Sequence, residues 1–148
     1  LLLILYFSST ALAAPYFLSY FNIIGGGTQN GYKHVTDSNY DWGQDLKRFA
    51  DFAKENIPAG ERIAIDYFGA GSPKYYLGNN VELWTSSRGN PKDQGIKWLA
   101  VSINTLQGAK GVAVPWLERR FEDEYRWLID YENPYARAGT SIFIYKFD

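Results

Sequence analysis

The sequence predicts an α/β domain: a small, layered, mostly parallel sheet flanked by helices, preceded by the end of a transmembrane helix. Three observations lead there. Apolar runs of strand length alternate with segments of helical periodicity after residue 41. No charged side chain occurs before Lys33. The length of 148 residues suits one domain better than two.

The N-terminal run from Leu1 to Ile24 is apolar, broken only by Ser8, Ser9, Thr10, Pro15, Ser19 and Asn22. A signal peptide would use Leu1 to Phe7 as its apolar core and Ala11-Leu12-Ala13-Ala14 for cleavage, but the basic flank and initiating Met it needs are missing. The favoured expectation is the end of a transmembrane helix. Fourteen helical residues before Pro15 cover only about 21 Å of a hydrocarbon layer about 30 Å thick. Tyr16, Phe17, Tyr20 and Phe21 suit the aromatic belt at a membrane surface. With no methionine anywhere, the chain is expected to be a processed product or a piece of a longer one. Residues 1–21 are therefore assigned to the membrane and 22–148 to a soluble α/β domain.

Gly25-Gly26-Gly27 closes the apolar run and reads as a flexible exit, with an ordered loop over 25–40. Asp41 is expected to cap a helix over 42–56, with Gln44 reaching back in a capping box. Leu46, Phe49, Ala50, Ala53 and Ile57 form its apolar face, and Asn56, Pro58 and Gly60 end it. Residues 62–68 read as a buried strand. Ser72-Pro73 opens a short helix, and Val81 to Trp84 a short strand. After a polar loop over 85–95, residues 97–103 form the next strand. A helix over 116–129 follows Pro115, with Trp116, Leu117, Phe121, Tyr125 and Leu128 on one face. Asn133-Pro134 breaks it, and 141–147 is the last strand.

Composition removes several functions. Fifteen Lys and Arg against sixteen Asp and Glu leave no basic footprint for nucleic acid. There is no cysteine and only one histidine, His34, which excludes thiolate chemistry, zinc–thiolate sites and multi-histidine metal sites. No Gly-x-Ser-x-Gly elbow occurs, and the triple glycine lacks the Lys-Ser/Thr ending of a phosphate loop. The excess lies in aromatics: twelve Tyr, nine Phe and five Trp.

Two groups of polar residues remain. Asp41 and Asp45, four apart, share a helix face and could divide acid and base roles on a glycoside. Their simpler role is to cap the helix and complement its dipole. Asp66 near the end of the first strand, with Asn104 and Gln107 after the next, lies where open parallel sheets place ligand clefts. With Asp37, Trp42 and Tyr67 these residues could line a cleft for a sugar or head group. The alternative is that Asn104 and Gln107 satisfy loop backbone while Asp66 pairs with a surface cation.

A longer pattern is more specific. Tyr20-Phe21-Asn22, Gly25-Gly26, Asn30-Gly31-Tyr32-Lys33 and Asp37-Ser38-Asn39-Tyr40-Asp41-Trp42-Gly43-Gln44-Asp45-Leu46 occur in that order. Asp66-Tyr67-Phe68-Gly69, Ser72-Pro73, Tyr75-Tyr76, Ser102-Ile103-Asn104-Thr105-Leu106-Gln107-Gly108 and Ala138-Gly139-Thr140-Ser141-Ile142-Phe143-Ile144-Tyr145 follow. Together they resemble the C-terminal region of multispanning membrane glycosyltransferases, the dolichyl-phosphate-mannose–protein mannosyltransferase-like enzymes that use polyprenyl-phosphate sugars. The resemblance departs at Tyr40 and Ala138, neither a polar motif position.

The resemblance implies that residues 1–21 end the last transmembrane helix and that the domain lies on the extracytoplasmic face. It implies that the acidic catalytic residues, often with a divalent metal, sit in an early loop absent here. No catalytic residue, metal ligand or cofactor is then expected in this chain. The expected partners are the membrane, the rest of the same enzyme, and a glycan or lipid-linked sugar. The motif and cleft candidates are Asp37, Asn39, Asp41, Trp42, Gln44, Asp45, Asp66, Tyr67, Asn104 and Gln107. The competing expectation is a secreted or membrane-tethered carbohydrate-binding module, drawn from the aromatic excess. A small glycosidase using Asp41 or Asp45 with Asp66 is a third.

Overall fold

The computed structural model describes residues 2–36, 40–110, 125–131 and 133–148. Its centre is a five-stranded sheet of order β2-β1-β3-β5-β4. The strands are β1 (Ile63–Asp66), β2 (Val81–Leu83), β3 (Trp98–Ser102), β4 (Ala136–Ala138) and β5 (Ile142–Lys146). β1 pairs in parallel with β2 and β3, while β5 pairs antiparallel with β3 and β4. The three predicted runs thus lie in one sheet, and the α/β class holds. β4 is the strand the sequence did not announce: three residues, Ala-Arg-Ala, without the β-branched or aromatic enrichment that marks a strand.

Alternation along the strands builds two apolar layers. Ile63 and Ile65 of β1, Trp98 and Ala100 of β3, and Ile142 and Ile144 of β5 meet α3 (Leu46–Asn56) through Leu46, Phe49, Ala53 and the following Ile57. Ala64, Leu99, Val101, Phe143 and Tyr145 face the other way. They pack under α5 (Ile103–Lys110) through Ile103 and Leu106, and under the 3-10 segment Tyr125–Asp130 through Tyr125 and Leu128. A fully buried residue such as Phe49 contributes about 1.5–3 kcal/mol through this burial. α4 (Pro73–Leu77) carries Pro at its first position after Ser72, as anticipated, although the Ser72 side chain makes no capping bond. The expected helix over 116–129 falls largely on 111–124, outside the described residues.

The apolar N-terminus forms α1 (Leu2–Ala13), whose Leu3, Ile4, Leu5, Tyr6, Phe7 and Leu12 are exposed. At 12 residues α1 covers about 18 Å, and among the described residues no helix is long and apolar enough to cross a membrane.

The glycine triplet corrects the expectation of a flexible exit. The amide of Gly25 donates to Asn22 Oδ1 (2.8 Å), that of Gly26 to the Ile23 carbonyl (3.1 Å), and that of Gly27 to the Asn22 carbonyl (3.0 Å). Gly27 then opens α2 (Gly27–Asn30), and a 3-10 turn over Gly31–Lys33 continues it. Glycines with internal acceptors for their amides make a defined turn rather than a hinge.

Candidate functional site around the Asp41–Asp45 turn

The capping box does not form. α3 starts at Leu46, and its N-cap position is Asp45, whose side chain makes no capping bond. The Asp41 Oδ1 accepts the Gly43 amide (2.8 Å) and the Gln44 Oε1 accepts the Trp42 amide (2.7 Å). Both side chains therefore close a turn ahead of the helix. Gly43 (φ +77°) makes that turn, and a Cβ there would come within 2.8 Å of the Gly69 Cα. The Tyr67 hydroxyl donates to the Gly43 carbonyl (2.7 Å), fixing the turn over the carboxyl end of β1.

Asp45 is not the exposed first-turn acid that the dipole argument expected. It is fully buried, and its Oδ2 receives the amides of Thr140 and Ser141 and the Ser141 hydroxyl, each at 2.9 Å. Its Oδ1 receives Arg48 Nη1 at 2.6 Å. Gly139 (φ +62°) brings the β4–β5 turn onto this carboxylate, and a side chain there would collide with it. A buried carboxylate with this many donors is stabilised in place, whereas removing the donors would leave an isolated charge.

Ser19 extends the same network to the apolar segment. Its hydroxyl donates to the Tyr40 carbonyl (2.9 Å), lies 2.6 Å from Thr140 Oγ1, and receives Gln44 Nε2 (3.2 Å). Ser19, Arg48, Thr140 and Ser141 are site residues the sequence reading passed over. Their only signals were an isolated serine in an apolar run and a Gly-Thr-Ser turn before the last strand.

Asp41 is also fully buried, yet its Oδ2 has no hydrogen bond. The adjacent Ser141 hydroxyl is committed to Asp45. Burial pushes the Asp41 carboxyl up to about 6, and the Asp45 charge adds to the rise. The Gly43 amide and the Asn104 amide at the start of α5 oppose it.

The predicted cleft is divided by the pleat. Tyr67 faces the α3 layer with the Asp41–Asp45 turn. Asp66, one residue earlier, faces the α5 layer and accepts the Tyr125 hydroxyl at 2.5 Å, so its partner is a buried phenol and not a surface cation. Burial raises both the Asp66 carboxyl and the Tyr125 phenol above their ordinary values. Asn104 Nδ2 donates to the Asp41 carbonyl (3.3 Å) and Gln107 Nε2 to the Tyr32 carbonyl (3.1 Å). Asp37 and Asn39 lie outside the described residues.

The arrangement therefore unites Asp41, Gly43, Gln44, Asp45, Tyr67 and Asn104 in a buried polar hub. Trp42, 60% exposed, marks its outer surface. Neither carboxylate of the hub offers an open oxygen to a glycoside. Among the described residues no group of three or more His, Cys, Asp or Glu gathers to hold a metal ion. No protein-family model, curated protein or solved structure matches the chain.

Proposed function

We propose that residues 22–148 are a non-catalytic extracytoplasmic domain of an integral-membrane glycosyltransferase, which transfers a sugar from a lipid-phosphate donor, and that residues 1–21 end the helix that joins it to the membrane. The observation that carries this reading is the role of the Asp41-Trp42-Gly43-Gln44-Asp45 motif. Its polar side chains are spent inside the domain, where they fasten Ser19 of the apolar segment to the Thr140–Ser141 turn. A motif so used positions a domain against its anchor and leaves the chemistry, with any divalent metal, to another part of the polypeptide. The exposed apolar surface of α1 supports a membrane partner.

The test compares two samples supplied with radiolabelled polyprenyl-phosphate sugars: membranes carrying the parent polypeptide, and this chain alone in vesicles. Transfer by the first and not the second is expected. Parent membranes without transfer, or turnover by the isolated chain, would sink the proposal.

A carbohydrate-binding module is the second reading, favoured by the exposed Trp42, Phe68, Tyr75 and Tyr76. Such aromatic faces can stack on sugar rings. Glycan binding by the isolated chain that disappears with Trp42→Ala would select it.

A further inference from the structure

We infer that the Tyr20–Gly27 loop is a second membrane contact, seated at the headgroup–acyl boundary beside α1, and that it orients the α/β domain on the lipid surface. The inference rests on the reading of α1 as membrane-embedded and goes beyond it, because a helix alone fixes neither the rotation nor the tilt of the domain it carries.

Four observations combine. First, the apolar exposure does not stop with α1. Phe17, Leu18 and Tyr20 remain exposed after the helix, and Ile23 and Ile24 are 82% and 95% exposed at the loop tip. Two adjacent isoleucines so placed call for an apolar partner.

Second, the loop folds back along the helix. Tyr20, Ile23 and Gly27 line a cavity of about 60 Å³ together with Ser9, Leu12 and Ala13 of α1. The Ile23 side of the loop therefore lies beside the last turns of α1.

Third, the three glycine amides that follow the tip are paired inside the loop. The amides of Gly25, Gly26 and Gly27 all donate within the loop, to Asn22 and Ile23. Ser9 and Thr10 of α1 likewise donate to the Tyr6 carbonyl (2.8 and 3.1 Å). Irregular backbone tolerates an apolar medium only when its polar groups are paired internally.

Fourth, the loop is fixed to the domain. The Phe21 ring lies over Gly31, where a Cβ would strike it, and packs 6.0 Å from the Tyr40 ring. The Tyr40 hydroxyl in turn donates to the Thr28 carbonyl. Whatever holds the loop tip therefore holds the domain.

The occupant is a lipid surface rather than a protein groove. The apolar side chains of α1 spread over its whole circumference, and Ser8, Ser9 and Thr10 do not gather into a polar face to turn away from a partner. No charge lies between Leu1 and Tyr32 to pair with one.

The chain has no cysteine, so single-cysteine variants can carry a polarity-sensitive fluorophore at one place each. Ile24→Cys probes the loop, Leu5→Cys probes α1, and Leu83→Cys probes the far edge strand. Each is reconstituted as the full chain into phosphatidylcholine–phosphatidylglycerol vesicles with and without lipids carrying a shallow nitroxide quencher. Blue-shifted, quenched emission is expected at Ile24 and Leu5, with unshifted emission at Leu83. Quenching at Leu5 without quenching at Ile24 overturns this inference and leaves the membrane reading standing. Quenching at neither overturns both, and quenching at all three overturns the fixed orientation.

A second variant separates the wiring from simple hydrophobicity. Adding Asn22→Leu to the Ile24 probe increases apolar surface but removes the acceptor of the Gly25 amide. Weaker quenching at Ile24 is expected. Unchanged or stronger quenching would refute the role of the paired backbone.

Discussion

Asp41 should make the domain less stable as pH rises through 6. Its carboxyl is buried with one oxygen unpaired, beside Asp45, and titrates at about 6 instead of 3.8. A carboxyl whose native value is raised contributes its stability in full below the unfolded value, about pH 4. It loses that contribution as pH climbs through the native value. With about 1.4 kcal/mol for each tenfold change in proton affinity, ionising Asp41 costs the folded state about 3 kcal/mol. Asp66, also raised, acts with the same sign. Glu82, lowered first by its Arg62 hydrogen bond, acts with the opposite sign but at the surface, where the effect is small. Asp41→Asn removes the charge and can place an N–H where the unpaired Oδ2 lies. Urea and thermal unfolding at pH 5 and pH 8 decide the matter. Of the cost of ionising Asp41, about 1.4 kcal/mol falls between pH 5 and pH 8, the rest being lost below pH 5, so the wild-type chain should lose about 3–6 °C in melting temperature between these values. Asp41→Asn should lose much less and should be the more stable protein at pH 8. Equal melting at both pH values in the wild type, or a variant less stable than wild type at pH 8, would refute the assignment.

Two further substitutions test the hub and its neighbour by equilibrium unfolding. Gly139→Ala should destabilise more than Gly95→Ala: both positions have positive φ, about 1–2 kcal/mol for a non-glycine residue, but a Cβ at 139 meets the Asp45 carboxylate and one at 95 meets open space. Equal losses would mean that the turn does not press on Asp45. Tyr125→Phe strips the donor from Asp66 and should cost about 1–3 kcal/mol, with a loss that shrinks at a pH low enough to protonate Asp66.

The strands were legible because Ile63, Ile65, Leu99, Val101, Ile142 and Ile144 are apolar runs of the right length, and α3 because Leu46, Phe49 and Ala53 keep helical spacing. The site was legible as a motif and not as geometry. The Asp41-to-Gln44 spacing of a capping box was present, but Gly43 turned the chain before the helix could start. What decides the use of Asp45 is a turn 95 residues away, which no local pattern reports. Asp66 and Tyr67 looked like neighbours in one cleft, and the two-residue period of a strand sends them to opposite layers.

The position of β5 has a consequence for biosynthesis. The last strand lies inside the sheet, between β3 and β4, and the Asp45 donors sit in the turn just before it. Until Ser141 and β5 have left the ribosome, Asp45 has no Thr140 or Ser141 amide to receive and β3 has an open side. Contacts that join residues so far apart in the chain form late. The nascent domain should therefore stay protease-sensitive until β5 has emerged from the ribosome, then close in one cooperative step.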